Sequence, residues 1–362
     1  MRKLILAFIS LFCIGANAQE LNDGPYVLYC GDTVVLNSVV RGTAIRNGYP
    51  LTKKGELEVP VRFAAHPEWD FKVKLRQDML TEPSEFAQPE KLFFISDVEG
   101  EFEGFRKLLI SSKIIDEHYN WTFGKGHMVI CGDLFDRGSN VPESIWLIYK
   151  LEQSAKAAGG YLHTILGNHD IMNLSGDLRY LQPKYLESAK LMGLDYMSLF
   201  TVNTELGRWL RTKNTIEKIG DNLCAHAGIA PQINELGLSL QQINALSRPY
   251  YDKASAEIKA AGESVSMFFS GNSSPFWYRG YFMEPKATEA EVDETLKLYG
   301  VKRIVVGHTI VAGNVNFYYG TKVMGIDVNH HVHDHQAALY ETGKWYKVND
   351  KGERTELKAS GR

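Results

Sequence analysis

"FFISDVEGEF", residues 93–102, decides how the chain is read. The apolar run from Phe93 to Ile95 has the length and composition of a buried strand, and it stops abruptly at Ser96-Asp97-Val98-Glu99-Gly100. Asp97 and Glu99 thus stand two residues apart where a strand leaves a core. Asp and Gly end strands in ordinary turns, so the stretch alone admits a plain turn. It equally admits a pair of metal-binding acids. The ends of the other strands choose between the two.

Working outward, "HMVIC" is a second strand and runs into "GDLFDRG", with Asp133, Asp136 and Arg137. "YLHTIL" is a third and runs into Gly167-Asn168-His169-Asp170. Later strands end in His226 of "CAHAG" and His308 of "VVGHT". Helical spacing separates them: "FEGFRKLLISSKII" and "ESIWLIYKLEQSAKAAG" carry apolar residues at a period near 3.6. Alternating strands and helices give an α/β class. In such folds, ligands collect beyond the carboxyl ends of the strands. Five successive strands ending in polar residues point to one site. Asp, Glu, Asn and His offer oxygen and nitrogen donors without thiolate, a set suited to Mn, Fe or Zn. An arginine beside them fits a phosphate, because its planar fork matches two phosphoryl oxygens.

In this order, D-x-E-G, GDxxDRG, GNHD, HAG and GHT resemble the motifs of the calcineurin-like metallophosphoesterases. The resemblance leans towards the phosphoprotein-phosphatase branch, and "SPFWYRGYF" (274–282) is similar to a W-Y-R-G segment of its bacterial, Shewanella-like members. It covers residues 91–330 and implies a β-sandwich flanked by helices. It further implies two divalent metal ions: Asp97 and Glu99 on the first, Asp133 bridging, and Asn168, His226 and His308 on the second. His169 would protonate the leaving oxygen with Asp136 orienting its ring, and Arg137 and Arg279 would hold the phosphoryl group. The implied reaction is hydrolysis of a phosphate monoester by a metal-bridging hydroxide. The phosphorylated substrate would be a protein or a small molecule. Hydrolysis of nucleotide or diadenosine polyphosphates is the alternative, and a phosphate-binding homologue impaired in turnover is a third reading. Glu99 stands where the family has His, which favours a hard ion such as Mn²⁺. GNHD for GNHE and HAG for HGG move the chain away from the eukaryotic-type enzymes.

The remainder frames this domain. Of 362 residues, 44% are hydrophobic and 23% charged, an ordinary globular balance. A net charge of −3 gives no reason to expect nucleic acid as a partner. Arg2-Lys3, the apolar Leu4–Ile14 and Ala16-Asn17-Ala18 have the form of a secretory signal peptide, cleaved after Ala18. The expected product is an exported protein, periplasmic or secreted, with no membrane insertion after cleavage. A lipid anchor at Cys13 is the minor reading. Residues 19–80 are β-rich, and "TEPSEFAQPE" (81–90) reads as a linker that completes an accessory module spanning 19–90. The catalytic domain is expected over 91–349, with helical cap insertions near 171–222 and 231–300 and a polar tail at 350–362. Cys131 and Cys224 each close an apolar run and read as small buried hydrophobes. "HHVHDH" (330–335) reads as a solvated loop near the mouth of the site, with a role in substrate access as the sharper hypothesis.

Overall fold

The computed structural model describes residues 21–332 and 335–359. The expected signal peptide, Cys13, His333, Asp334 and the last three residues lie outside the described residues. Five strands come first: β1 (Asp23–Cys30), β2 (Thr33–Val40), β3 (Thr43–Pro50), β4 (Glu58–Val61) and β5 (Phe71–Lys74). β1, β2 and β3 form an antiparallel meander, and β4 pairs with β5. Then follow β6 (Glu85–Phe86), β7 (Leu92–Ile95), β8 (His127–Cys131), β9 (Tyr161–Ile165), β10 (Ile216–Ile219), β11 (Asn222–Ala225) and β12 (Arg303–Val306). The last are β13 (Asn316–Tyr318), β14 (Val323–Gly325), β15 (Gln336–Glu341), β16 (Lys344–Asn349) and β17 (Arg354–Glu356).

Two six-stranded sheets carry the catalytic region, in the orders β17-β16-β15-β7-β8-β9 and β13-β14-β12-β11-β10-β6. Alternation along each strand explains how they stack. Leu92, Phe94, Val129, Cys131 and Ile165 of one sheet share an interior with Ile219, Cys224, Val305, Phe317 and Met324 of the other. The intervening residues Phe93, Ile95, Met128 and Ile130 face outward into a second core with the helices. Side chains at successive strand positions point to opposite faces, so both faces of β7 and β8 are buried and their sequences are continuously apolar. The result is the expected helix-flanked sandwich. Helices α1 (Phe102–Ser111) and α2 (Val141–Ala157) connect β7 to β8 and β8 to β9. Thr288 and Glu291 form the capping box expected for the helix Glu289–Tyr299.

Parallel pairing decides where the loops go. β7, β8 and β9 run parallel, as do β11, β12 and β14. The loops after these six strands therefore leave from the carboxyl ends, where the polar motifs lie.

Four boundaries differ from the sequence reading. The stretch 81–90, expected as a linker, is stitched into the body: β6 pairs with β10, and Glu82 is buried against Lys213. Its prolines and glutamates imitate a tether, but Glu82 is buried and paired with Lys213, while Glu85 and Glu90 stay exposed. The first cap insertion, expected to reach 222, gives way to the core at β10. The polar tail contains β17, an edge strand on β16. His330 and His335 are buried, which removes the solvated-loop reading of 330–335 for those two residues. The β-rich module is not separate either, since Tyr26, Val59 and Phe71 belong to the same apolar cluster as Phe102 and Trp146.

Candidate active site

The six carboxyl ends converge on a cavity of about 620 Å³. Asp97, Glu99, Asp133, Arg137, Asn168, His169, Arg279 and His308 all line it. His226 is fully buried beneath, and Asp136 is buried behind His169.

Local backbone geometry makes the convergence possible. Among the described residues, twelve non-glycine residues have positive φ, and six of them are Asp97, Glu99, Asp133, Asp136, Arg137 and His308. Such conformations cost of order 1–3 kcal/mol each and persist where the surrounding fold over-determines them. Gly132, at φ +85°, lets the β8 loop approach the β9 loop; a Cβ there would lie 2.6 Å from the Gly167 backbone and 2.7 Å from His226 Nδ1. Asp170 ties the two loops together. Its carboxylate accepts from the backbone N–H of Gly167 at 2.7 Å, Leu134 at 2.8 Å and Asp133 at 3.1 Å. Burial and the neighbouring Asp133 push the Asp170 carboxyl up to about 7.

His226 Nδ1 lies 2.7 Å from the Cys131 carbonyl oxygen. A carbonyl only accepts, so Nδ1 carries the hydrogen and Nε2 faces the cavity floor. Around that Nε2 stand Asn168 Oδ1 at 2.8 Å, His308 Nδ1 at 3.2 Å and Asp133 Oδ2 at 3.2 Å. One proton cannot satisfy these acceptors together, whereas a cation can. Ligand atoms of Asp133, His226 and His308 lie within 4.8 Å of one another, and so do those of Glu99, Asp133 and His169. His308 Nε2 is buried without a partner among the described residues. The donors and their spacing therefore fit divalent ions, with Asp133 common to both groups.

The electrostatics follow from this crowding. Burial alone would raise the Asp133 carboxyl, but His226, His169 and His308 hold it below the usual range. Burial would lower His226, yet Asp133 and Asp97 lift it to about 10. For His308, burial, His226 and Arg279 act together and push it down to about 2. Burial and the adjacent Asp327 raise Asp97 well above the normal carboxylate value.

His169 Nδ1 sits 2.6 Å from Asp136 Oδ2. Asn173 donates to the other oxygen of Asp136 at 2.7 Å, and Tyr196 donates to Asn173 at 2.8 Å. The ring is thus fixed from behind, and Nε2 faces Glu99 and Asp133 at 3.7 and 3.9 Å. Asp97 accepts from Ser96 Oγ and, at 3.1 Å, from the His308 backbone N–H. It reaches the pocket, but its carboxylate belongs to neither three-residue ligand group. Arg279 donates to the His308 carbonyl and to Thr309 Oγ1, both at 3.1 Å. Arg137 pairs with Glu99 and lies over the Tyr180 ring at 5.5 Å.

Sequence reasoning passed over Asp327, which follows β14, lines the pocket and has its carboxyl pushed up to about 7 by burial and by Asp133. The signal was available, since "MGID" is a sixth apolar strand ending in an acid. Tyr180 and Trp277 also line the pocket, their rings edge-on to His169 at 5.1 Å and to His308 at 5.8 Å. Nothing in the sequence separates these aromatics from core residues.

A sandwich whose strand tips hold such a centre is a phosphoesterase architecture, and the comparisons agree. The calcineurin-like phosphoesterase family model matches residues 90–312, and the chain belongs to that family. Among solved structures, the cold-active protein-tyrosine phosphatase of a psychrophilic Shewanella species superposes with a TM-score of 0.84 at 35% identity, covering 93% of this chain and 99% of that one. Shewanella-like protein phosphatase 2 of Arabidopsis thaliana is 28% identical over 67% of this chain and 72% of its own length. A symmetrical bis(5'-nucleosyl)-tetraphosphatase of Buchnera aphidicola is 30% identical over 39% of this chain and 45% of its own.

Proposed function

We propose that the protein is an exported, metal-dependent phosphomonoesterase acting on aryl phosphates, phosphotyrosine among them. The observation that carries the reading is the convergence of Asn168, His308 and Asp133 on His226 Nε2. Asp97, Glu99 and Asp133 would hold one divalent ion, and Asp133, Asn168, His226 and His308 the other. When bound, such ions acidify water and polarise phosphoryl oxygens. Mn²⁺ is the first choice because Glu99 adds an anionic oxygen.

The chain's own groups do the rest. Arg279 is anchored at the rim by the His308 carbonyl and Thr309, which leaves its fork to receive phosphoryl oxygens. Arg137, half-exposed beside the pocket, supplies a second guanidinium. His169 donates a proton from Nε2 to the leaving oxygen, while Asp136 at Nδ1 fixes the ring. Tyr180 and Trp277 form apolar walls on which an aromatic leaving group packs. The name of the Shewanella relative supports the tyrosine reading.

A second reading, hydrolysis of dinucleoside polyphosphates, is favoured by the partial likeness to the Buchnera tetraphosphatase. The intact His169–Asp136 pair argues against an impaired phosphate binder. The test is kcat/KM on para-nitrophenyl phosphate, phosphotyrosine and phosphoserine peptides and diadenosine tetraphosphate, with Mn²⁺, Fe²⁺ or Zn²⁺ added. The reading expects the two aryl phosphates to lead; a lead for the tetraphosphate would replace it. For export, mass spectrometry of the protein from its native host should give a chain starting at Gln19, and an intact Met1 would refute cleavage.

A further inference from the structure

We infer that His331 is a positioning residue for Glu99, held in turn by Glu101, so that three side chains from two distant segments shape the first metal site. The inference rests on the two-metal reading above. The Glu99 carboxylate is buried, and its two oxygens have different neighbours. Oε1 faces His169 Nε2 at 3.7 Å and pairs with Arg137. Oε2 lies 2.8 Å from His331 Nε2. The opposite nitrogen, His331 Nδ1, lies 3.1 Å from Glu101 Oε1.

A carboxylate only accepts, so His331 donates from Nε2 to Glu99, and its ring stands between two acids. Clamping matters because a Glu side chain has three rotatable bonds, and a ligand that wanders loses affinity. With Oε2 taken by His331, Oε1 is left facing His169 and Arg137, and a carboxylate oxygen of Glu99 lies within 4.8 Å of one of Asp133. His331 has both nitrogens occupied and belongs to neither three-residue ligand group, so it acts through Glu99 rather than on the ion. Hydrogen-bonded partners of this kind typically govern metal affinity by about 10- to 100-fold.

The segment that delivers His331 is fixed independently. His330 is buried and its Nδ1 lies 3.1 Å from His335 Nδ1, and the short 3₁₀ turn His330–Val332 carries the next ring over the pocket edge. The histidine-rich run thereby has a physical role: His330 and His335 pack together and His331 faces the site.

The experiment is a Mn²⁺ titration of the purified full chain by calorimetry, with thermal denaturation as the fold control. Wild type should take up two equivalents. His331→Ala should weaken the looser one by about 10- to 100-fold and leave the tighter one unchanged. His331→Gln, which keeps an N–H near the Nε2 position, should retain most of that affinity, and Glu101→Ala should show a smaller loss of the same kind. In a Glu99→His background the ring has no second oxygen for His331, so adding His331→Ala should change nothing. Equal Mn²⁺ affinities in wild type and His331→Ala, or the same loss in the Glu99→His background, would overturn the positioning role. Uptake of fewer than two equivalents by wild type would overturn the two-metal reading itself and this inference with it.

Discussion

Two of the buried charge clusters among the described residues are built on opposite principles. In the first, Lys213 Nζ reaches Glu152 at 2.7 and 2.9 Å and Glu82 at 3.2 Å. Arg76 reaches Glu152 at 2.7 Å, and Trp209 and Thr164 donate to the same carboxylate at 2.8 and 2.9 Å. Every oxygen of Glu152 has a donor. Burial would raise its carboxyl, but Lys213 and Arg76 bring it down to about 2. In the second cluster, Asp97, Asp133 and Asp327 crowd around His226 and His308 with too few donors. Six strained residues hold the second together, and neither Glu152 nor Lys213 is strained in this way. A balanced buried network fastens a fold; an unbalanced one is stable only if something else completes it. That asymmetry marks the function.

The comparison can be broken most decisively at its unbalanced side. Asp133→Asn removes the acid common to both ligand groups. Because metal ions supply several kcal/mol to such reactions, kcat should fall by about 10³-fold or more, with the melting temperature held or raised. His169→Asn should lower kcat by about 10²- to 10⁴-fold, the range of a general acid. Its metal content should stay at the wild-type level, and parallel loss of both would make His169 a ligand instead.

On the balanced side the readouts reverse. Lys213→Met removes the buried cation shared by Glu152 and Glu82 and should cost about 3–5 kcal/mol in denaturant unfolding. The kcat of the molecules that remain folded should be unaltered. A collapse of activity without loss of stability would erase the distinction between the clusters.

The smallest effect sharpens it. Glu143, in the first turn of α2, is buried, and burial raises its carboxyl from 4.5 to about 7 despite the opposing charge of Lys184. Between these values the unfolded chain has released a proton that the folded chain still holds, so stability falls as pH rises from about 4 to 7. Glu143→Gln should therefore match wild type near pH 4 and exceed it by about 1–3 kcal/mol at pH 8. Asp23, raised by burial to about 6, and Asp170 and Asp327, raised to about 7, contribute to the slope that remains. Equal stability of the two proteins at both pH values would show the Glu143 side chain to be solvated.

The legible part of this molecule is its periodic part. Leu92–Ile95 and residues 128–131 are apolar throughout because both faces are covered, and a continuous apolar run ending in Asp or Gly is visible in one dimension. The ligand residues could be picked out for the same reason, since each directly follows such a run. What stayed hidden depends on residues meeting across long separations. Glu82 reads as a linker charge until Lys213 is placed beside it. His331 reads as surface until Glu99 is 2.8 Å away. Positive φ at Asp97 or Asp133 leaves no trace at all, because neither residue type requires it.

One measurement bears most directly on the central claim that the strand-tip cluster is a two-cation phosphoesterase centre. Metal-stripped wild-type protein is titrated with Mn²⁺ while para-nitrophenyl phosphate turnover is followed in the same sample. The account predicts binding of two equivalents, with activity rising as the second binds and both lost in Asp133→Asn. Turnover that survives chelation, or binding that Asp133→Asn leaves intact, would contradict it.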